Sequence, residues 1–169
     1  DNLLEEFLKY ARTGPFDLVP TDLTEVVRDA VTLLKSRPDL GGRRVSIDGA
    51  ARGRRIFGDR DALIQVFLNL GRNALEATDP EHGEVVFRVS EAGRPSFVSS
   101  GRGLADDGSG VEVEVRDNGA GVPASDRDHV FTPFFSTKPA GNGLGLCIVE
   151  RIVRDHLGGV GLASDEGRG

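Results

Sequence analysis

The chain holds one cysteine, Cys147, and three histidines, His82, His129 and His156, among its 169 residues. A lone thiol makes neither an internal disulfide nor a CxxC zinc site, and the histidines lie too far apart in sequence for metal-ligand spacing. A structural zinc is therefore excluded, and a reducing compartment fits. No run of about 18 apolar residues occurs and no signal-peptide pattern opens the sequence, so no membrane-crossing segment is expected. Clusters of basic residues are also missing. Acidic residues number 27 against 21 basic ones, a net charge of −6, and the lysines and arginines are scattered singly or in pairs. Nothing here is built to neutralise a phosphate backbone, so nucleic acid is not an expected partner. The length suffices for one domain with a real core. What the chain has in excess is glycine, 23 residues, roughly twice the usual share of about 7%, and several of them cluster.

Along the chain, Leu3, Leu4, Phe7, Leu8 and Ala11 share one face of an amphipathic helix that Thr13-Gly14-Pro15 stops. Two readings fit it: the end of a longer helix from a helical hairpin or dimer, or a short helix packed on the domain. Phe16 to Val19 reads as a short strand. Asp22 and Glu25 then give a capping-box-like start to a helix with Leu23, Val26, Val27, Ala30, Val31 and Leu34 on one face. Pro38 and Gly41-Gly42 end it, short strands follow at Val45 to Ile47 and Arg55 to Phe57, and a further helix runs from about Asp59 to Ala77. Val85, Phe87 and Val89, and later Val111, Val113 and Val115, alternate with polar residues as paired antiparallel strands do. The Gly-, Ser- and Asp-rich stretch Glu91 to Gly110 reads as a long hairpin connection rather than a binding loop. A last helix from Leu144 to about Leu157 is closed by Gly158-Gly159, and Val160 to Leu162 begins another strand. This order predicts a two-layer α/β sandwich with a mixed sheet and helices over one face.

Three stretches carry chemistry. In the helix ending at Ala77, Gln65, Asn69 and Asn73 recur every fourth residue and form a polar stripe beside the apolar Leu63, Val66, Phe67, Leu70 and Ala74. Such amides either bond to one another and to backbone, or face a hydrated cation or a phosphate. Asp117-Asn-Gly119-Ala-Gly121 leaves a strand through two glycines: either an ordinary turn, or a place where a flat ring approaches the backbone and a carboxylate accepts a hydrogen bond from an exocyclic amine, as adenine offers. Phe131 to Leu146 runs from an aromatic segment through Lys138 to the glycine-rich start of a helix, whose free N–H groups and partial positive charge suit phosphate. It is neither the Walker pattern, lacking Gly-Lys-Ser/Thr, nor a dinucleotide fingerprint. Of Phe131, Phe134 and Phe135, at least one is expected to be plain core.

Taken together, the Asn-stripe helix, Asp117-x-Gly119-x-Gly121, Phe131-x-Pro-Phe134-Phe135 and Gly141-x-Gly143-Leu144-Gly145-Leu146 resemble, in order, the N, first glycine, F and second glycine boxes of sensor histidine kinases. Phe-Phe-Ser-Thr-Lys138 with a short lid is similar to the nitrogen-regulation type, and Leu4 to Arg12 resembles the end of the second helix of the dimerisation domain. The resemblance implies a Bergerat ATP-binding fold, with residues 1–13 ending the dimerisation hairpin and residues 14–169 forming the catalytic domain. It implies ATP and Mg²⁺ as cofactors. Asp117 would bond the adenine amine, Gly119 and Gly121 shape the base pocket, Asn73 hold Mg²⁺, and Asn69 lie near the γ-phosphate. Lys138 and the backbone from Gly141 through Gly143, Leu144 and Gly145 to Leu146 would hold the phosphates.

The implied partners are the protein's own dimerisation and phosphoacceptor domain and a response regulator receiver domain, in a homodimeric, cytoplasmic parent that is free or membrane-anchored upstream. Two departures from the family pattern stand out. No histidine is followed by an acidic residue in a helical context, so the acceptor is expected upstream; and the chain stops at Gly169 where a last strand is expected, leaving the sheet one strand short. In hydrolysing relatives a glutamate usually stands where Asn69 does, which favours transfer over hydrolysis.

Overall fold

The computed structural model describes residues 15–49, 55–91, 110–138 and 141–164; the expected helix at 1–12 and nearly all of the connection at 91–110 lie outside them. The first strand, β1 (Val19–Asp22), starts where the sequence reading ends it. Phe16 is drawn elsewhere, its ring centroid 5.1 Å from that of His156. β1 pairs antiparallel with β3 (Arg55–Gly58), Val19 opposite Gly58 and Asp22 opposite Arg55. Asp22 then caps α1 (Leu23–Lys35), its carboxylate accepting from the N–H groups of Thr24 and Glu25, which satisfies two donors that helix geometry leaves without partners. Leu23, Val26, Val27, Ala30, Val31 and Leu34 are buried, as their spacing requires.

β2 (Arg44–Asp48), β4 (Glu84–Glu91) and β5 (Val111–Asp117) form the mixed sheet in the order β2-β4-β5. β2 runs parallel to β4 and β5 antiparallel to it, with Val45 opposite Val85 and Val89 opposite Val113. A parallel pair needs a crossover, and β3 with α2 (Arg60–Ala77) supplies it. The β1–β3 ladder is a separate two-stranded sheet, so the expected mixed sheet is narrower than the strand count suggests. Val85, Phe87 and Val89 turn inward and are almost fully buried against residues of α1, α2 and α3 (Gly145–Asp155), while Arg88 on the other face is exposed and pairs with Asp48 of β2 at 2.5 Å. That guanidinium holds the Asp48 carboxyl below the usual range.

α2 packs against both α1 and α3. Asp59 caps it by accepting from the N–H groups of Asp61 and Ala62, each at 3.1 Å. Gly71 sits in its interior because a Cβ there would come within 3.1 Å of Phe87 Cζ and closer still to Leu34.

At the far end, α3 stops at Asp155 with Leu157 left-handed at φ 60°. His156 closes the helix: Nε2 accepts the Asp59 N–H at 2.9 Å, and Nδ1 donates to the Ile152 carbonyl at 2.7 Å. Both ring nitrogens are thus committed in the neutral tautomer, tying α3 to the start of α2. His156→Ala is expected to destabilise the fold by about 1–3 kcal/mol, since it orphans the Asp59 donor and removes the Phe16 contact. Thermal unfolding checks this; a loss below about 0.5 kcal/mol, the level of an ordinary surface change, would contradict it.

Val160 to Leu162 corrects the sequence reading: the segment is irregular, not a strand. Val160 packs on the core, but Gly159 and Gly161 flank it and disfavour pleated backbone. The chain is held here by a side chain instead, Ser164 Oγ accepting the Val122 N–H at 2.8 Å.

Candidate functional site

The polar stripe of α2 has the burial that its mixed character demands: Gln65, Asn69 and Asn73 are half-buried, with Val66, Phe67 and Ala74 in the core beside them. The side-chain nitrogen of Asn69 is buried and has no hydrogen-bond partner among the described residues. An orphaned amide costs free energy in a folded chain, so a polar ligand beside it gains from the mismatch. Gly145, the first residue of α3, lies here. A Cβ built on it would be 3.9 Å from both Asn69 Oδ1 and Asn73 Nδ2, so the stripe meets the N-terminus of a helix.

That N-terminus is open. Its cap, Leu144, is fully buried and supplies no side-chain hydrogen bond, while Asn142 Oδ1 accepts the Leu144 N–H at 3.1 Å and shapes the turn before it. The N–H groups of the first turn and the helix dipole therefore lead toward the α2 amides. Gly143 makes this approach possible. Its φ is +66°, and a Cβ would stand 2.6 Å from both the backbone N and O of Phe135. Its carbonyl accepts the Phe134 N–H at 3.0 Å, joining the aromatic turn to the helix start.

The aromatic turn departs from expectation. None of Phe131, Phe134 and Phe135 is fully buried; Phe131 and Phe135 are half-buried, whereas Phe134 is 63% exposed at φ 66°. The backbone needed to meet Gly143 turns that ring outward, so the residue serves the turn by its main chain. Val130 is the buried apolar residue of this stretch.

Beyond β5, Asp117 Oδ1 accepts the Gly119 N–H at 2.8 Å, which orients the half-buried carboxylate and leaves its second oxygen to offer. Gly119 lies against the end of α2, where a Cβ would be 2.6 Å from the Ala77 carbonyl oxygen. That same oxygen accepts the Ala120 N–H at 3.3 Å. Gly121 has φ +72°, the left-handed conformation expected of a glycine turn. Asn118, which the sequence reading passed over, clamps the strand ends: Oδ1 accepts the Glu84 N–H at 2.8 Å and Nδ2 donates to the His82 carbonyl at 3.2 Å.

Lys138 is near the stripe but on an unexpected partner. Its Nζ lies 2.5 Å from Glu76 Oε2. Ser136 Oγ accepts the Lys138 N–H at 3.1 Å, and the Lys138 carbonyl accepts the Gly141 N–H at 3.1 Å. Glu76 was missed in the sequence, although it falls three residues after Asn73 and so on the same helix face. A cavity of about 300 Å³ opens at the other end of the stripe, lined by Gln65, Asn69 and Arg72 with Arg37 and Ile148. Cys147 is buried, donates to the Leu144 carbonyl at 3.0 Å, and burial raises its pKa, which makes it a packed core residue and a poor nucleophile.

α2 thus organises everything: amides along it, the α3 N-terminus at Gly145, the lysine at Glu76, and the Asp117 loop at Ala77. Residues 58–169 match the family of histidine kinase-, DNA gyrase B- and HSP90-like ATPases. The chain belongs to that family. Within it the chain is similar to sensor histidine kinases: it is 37% identical over 96% of its length to the C4-dicarboxylate transport sensor protein DctB of Rhizobium meliloti. Over 61% of its length it is 45% identical to the sensory histidine kinase/phosphatase NtrB of Rhizobium leguminosarum, in keeping with the Phe-Phe-Ser-Thr-Lys phrase. The chain spans only about a quarter of these two relatives, 24% and 27% of their lengths. Among solved structures, full-length ShkA in complex with AMPPNP superposes with a TM-score of 0.69 at 28% identity, covering 91% of this chain and 30% of that one. The two-layer α/β fold is accordingly that of a histidine kinase ATPase domain. Among the described residues, no helix of this ATPase domain is long and apolar enough to cross a membrane.

Proposed function

We propose that this chain binds Mg-ATP and presents the γ-phosphoryl group to a histidine of a dimerisation domain, for relay to an aspartate of a response regulator. The observation that carries the proposal is the meeting of the α2 amides with the uncapped start of α3 at Gly145, supported by the AMPPNP bound to the similar ShkA. Residues 1–13 are read as the end of the dimerisation hairpin and 14–169 as the catalytic domain, in a homodimeric parent with this part in the cytoplasm.

Each residue has a role that its chemistry permits. Asp117 accepts a hydrogen bond from the exocyclic amine of adenine; guanine presents a carbonyl there, so GTP binds much more weakly. Gly119 and Gly121 let the base approach the backbone. The N–H groups of Gly143, Gly145 and Leu146 hold phosphate oxygens, those of Leu144 and Gly141 being engaged on Asn142 Oδ1 and the Lys138 carbonyl, and Lys138 adds a positive charge. Rotation of the Asn69 carboxamide, whose oxygen faces Gly145 in the free chain, lets its orphaned nitrogen donate to the γ-phosphate. The residues fit a magnesium ion in one respect: the Asn73 carboxamide beside the phosphate cradle carries a hard oxygen of the kind that would hold such an ion. When bound, the ion neutralises phosphate charge. Positioning and charge neutralisation account for most catalysis of phosphoryl transfer. Asn69 takes no proton from water as a carboxylate does, so hydrolysis is slow.

The test begins with thermal unfolding. At 100 times the dissociation constant, Mg-ATP stabilises by about 2.7 kcal/mol, or roughly 5–10 °C for a domain of this size; no shift at millimolar adenine nucleotide rejects the proposal. Transfer is tested with γ-labelled ATP. The chain alone is expected to stay unlabelled: His156 has both ring nitrogens engaged, and the exposed His82 sits in a turn beside Asp79. Adding the dimerisation domain of a relative such as NtrB in trans, at high concentration to replace tethering, is expected to give slow labelling on that domain. Stable phosphate on His82, His129 or His156 would overturn the assignment.

A further inference from the structure

The Glu76–Lys138 pair is the feature that the roles above leave unused. Lys138 stands on the segment that leads into α3 and Glu76 on α2, 62 residues earlier, yet their charged atoms meet at 2.5 Å with both side chains about two-fifths exposed. Glu76 follows Asn73 by three residues, so its carboxylate borders the path assigned to the phosphates. Lys138 is further fixed through its backbone, its N–H to Ser136 Oγ and its carbonyl to the Gly141 N–H. The ammonium is therefore delivered to Glu76 by a formed turn.

We propose that Glu76 is a positioning residue that latches Lys138 in the nucleotide-free state, and that nucleotide binding exchanges the carboxylate for phosphate. The inference rests on the ATP-binding reading and deepens it. Electrostatics sets its direction. While the pair holds, Lys138 is spent on Glu76, and a polyphosphate arriving beside the carboxylate must compete for the same ammonium. After the exchange, Glu76 is an unpaired negative charge close to the phosphates. Both effects oppose binding, so Glu76 keeps affinity moderate and product release easy. Exposed pairs are individually weak, which suits a contact that must open on every cycle.

Glu76→Gln tests the latch, since it keeps the shape and removes the charge from an exposed position where the fold does not depend on it. Mg-ATP and Mg-ADP are expected to bind Glu76→Gln about two- to fivefold more tightly than the parent chain, the scale of one exposed ion pair. Adenosine, which carries no phosphate, is expected to bind both equally; a general structural change would alter adenosine as well. In a Lys138→Gln background the Glu76→Gln gain for ATP should shrink to what repulsion between the carboxylate and the phosphates alone supplies, because the cycle isolates the pair; an undiminished gain overturns the latch. Unchanged or weaker ATP binding by Glu76→Gln overturns the latch, as does an equal gain for adenosine. Failure of the parent chain to bind either nucleotide would instead reject the underlying ATP reading.

Discussion

Asp117→Ala is expected to weaken ATP and ADP alike by about 10- to 100-fold, the value of a hydrogen bond to a charged group, whether or not Mg²⁺ is present. The carboxylate is held as the proposed role requires, half-buried with one oxygen anchored on the Gly119 N–H at 2.8 Å. Its removal also frees the loop, so part of the loss is ordering that must then be provided on binding. Asn73→Ala offers the contrast: it should weaken binding in Mg²⁺ and leave binding in EDTA nearly intact. Calorimetric titration of both variants with ADP, with and without Mg²⁺, decides between base and metal roles. Equal losses for the two variants in EDTA would refute the assignment of Asn73.

Gly143→Ala is expected to be the most disruptive single methyl group in the site. A left-handed φ of +66° burdens any other residue, by about 1–2 kcal/mol. The methyl would also stand 2.6 Å from Phe135 N and O, and relieving such overpacking typically costs about 1–3 kcal/mol more. The obstacle is backbone, which has no rotamer to escape into. Relief must come from parting the aromatic turn from the start of α3, at the hydrogen bond between Phe134 and Gly143. Nucleotide affinity should therefore collapse while far-UV circular dichroism stays close to that of the parent chain. A variant that binds ATP normally would show that this junction does not set the phosphate cradle.

What could be read from the residues was what periodicity and local chemistry govern. α1 followed from six apolar positions, α2 from its apolar wall, and the β4–β5 pair from the alternating apolar residues of its strands. The amides of Gln65, Asn69 and Asn73 marked a candidate site because polar groups on a buried face demand an explanation, whether by one another, by backbone or by a ligand. Phe134 escaped, because an aromatic residue in a Phe-Phe pair is ordinarily core and only the pull of Gly143 on its main chain turns it out. The strand expected at Val160 to Leu162 failed for a related reason: strand formation needs a partner edge, and three residues do not show whether one is available. Glu76 was invisible because the partner that gives it meaning lies 62 positions away. Asn118 looked like any turn asparagine, and its clamp on Glu84 appears only once β4 and β5 are side by side.

The Ala77 carbonyl, which takes the Ala120 N–H and leaves no room for a Cβ on Gly119, joins the two halves of the proposed nucleotide site. The loop proposed to read the base is fastened to the last residue of the helix proposed to face the phosphates, so ordering one end is expected to prepare the other. Coupling of this kind acts equally in both directions. A base that fits poorly at Asp117 should loosen the hold on phosphate, and an empty phosphate cradle should blunt the preference for adenine. Selectivity among nucleosides is therefore expected to be lower than selectivity among the corresponding triphosphates.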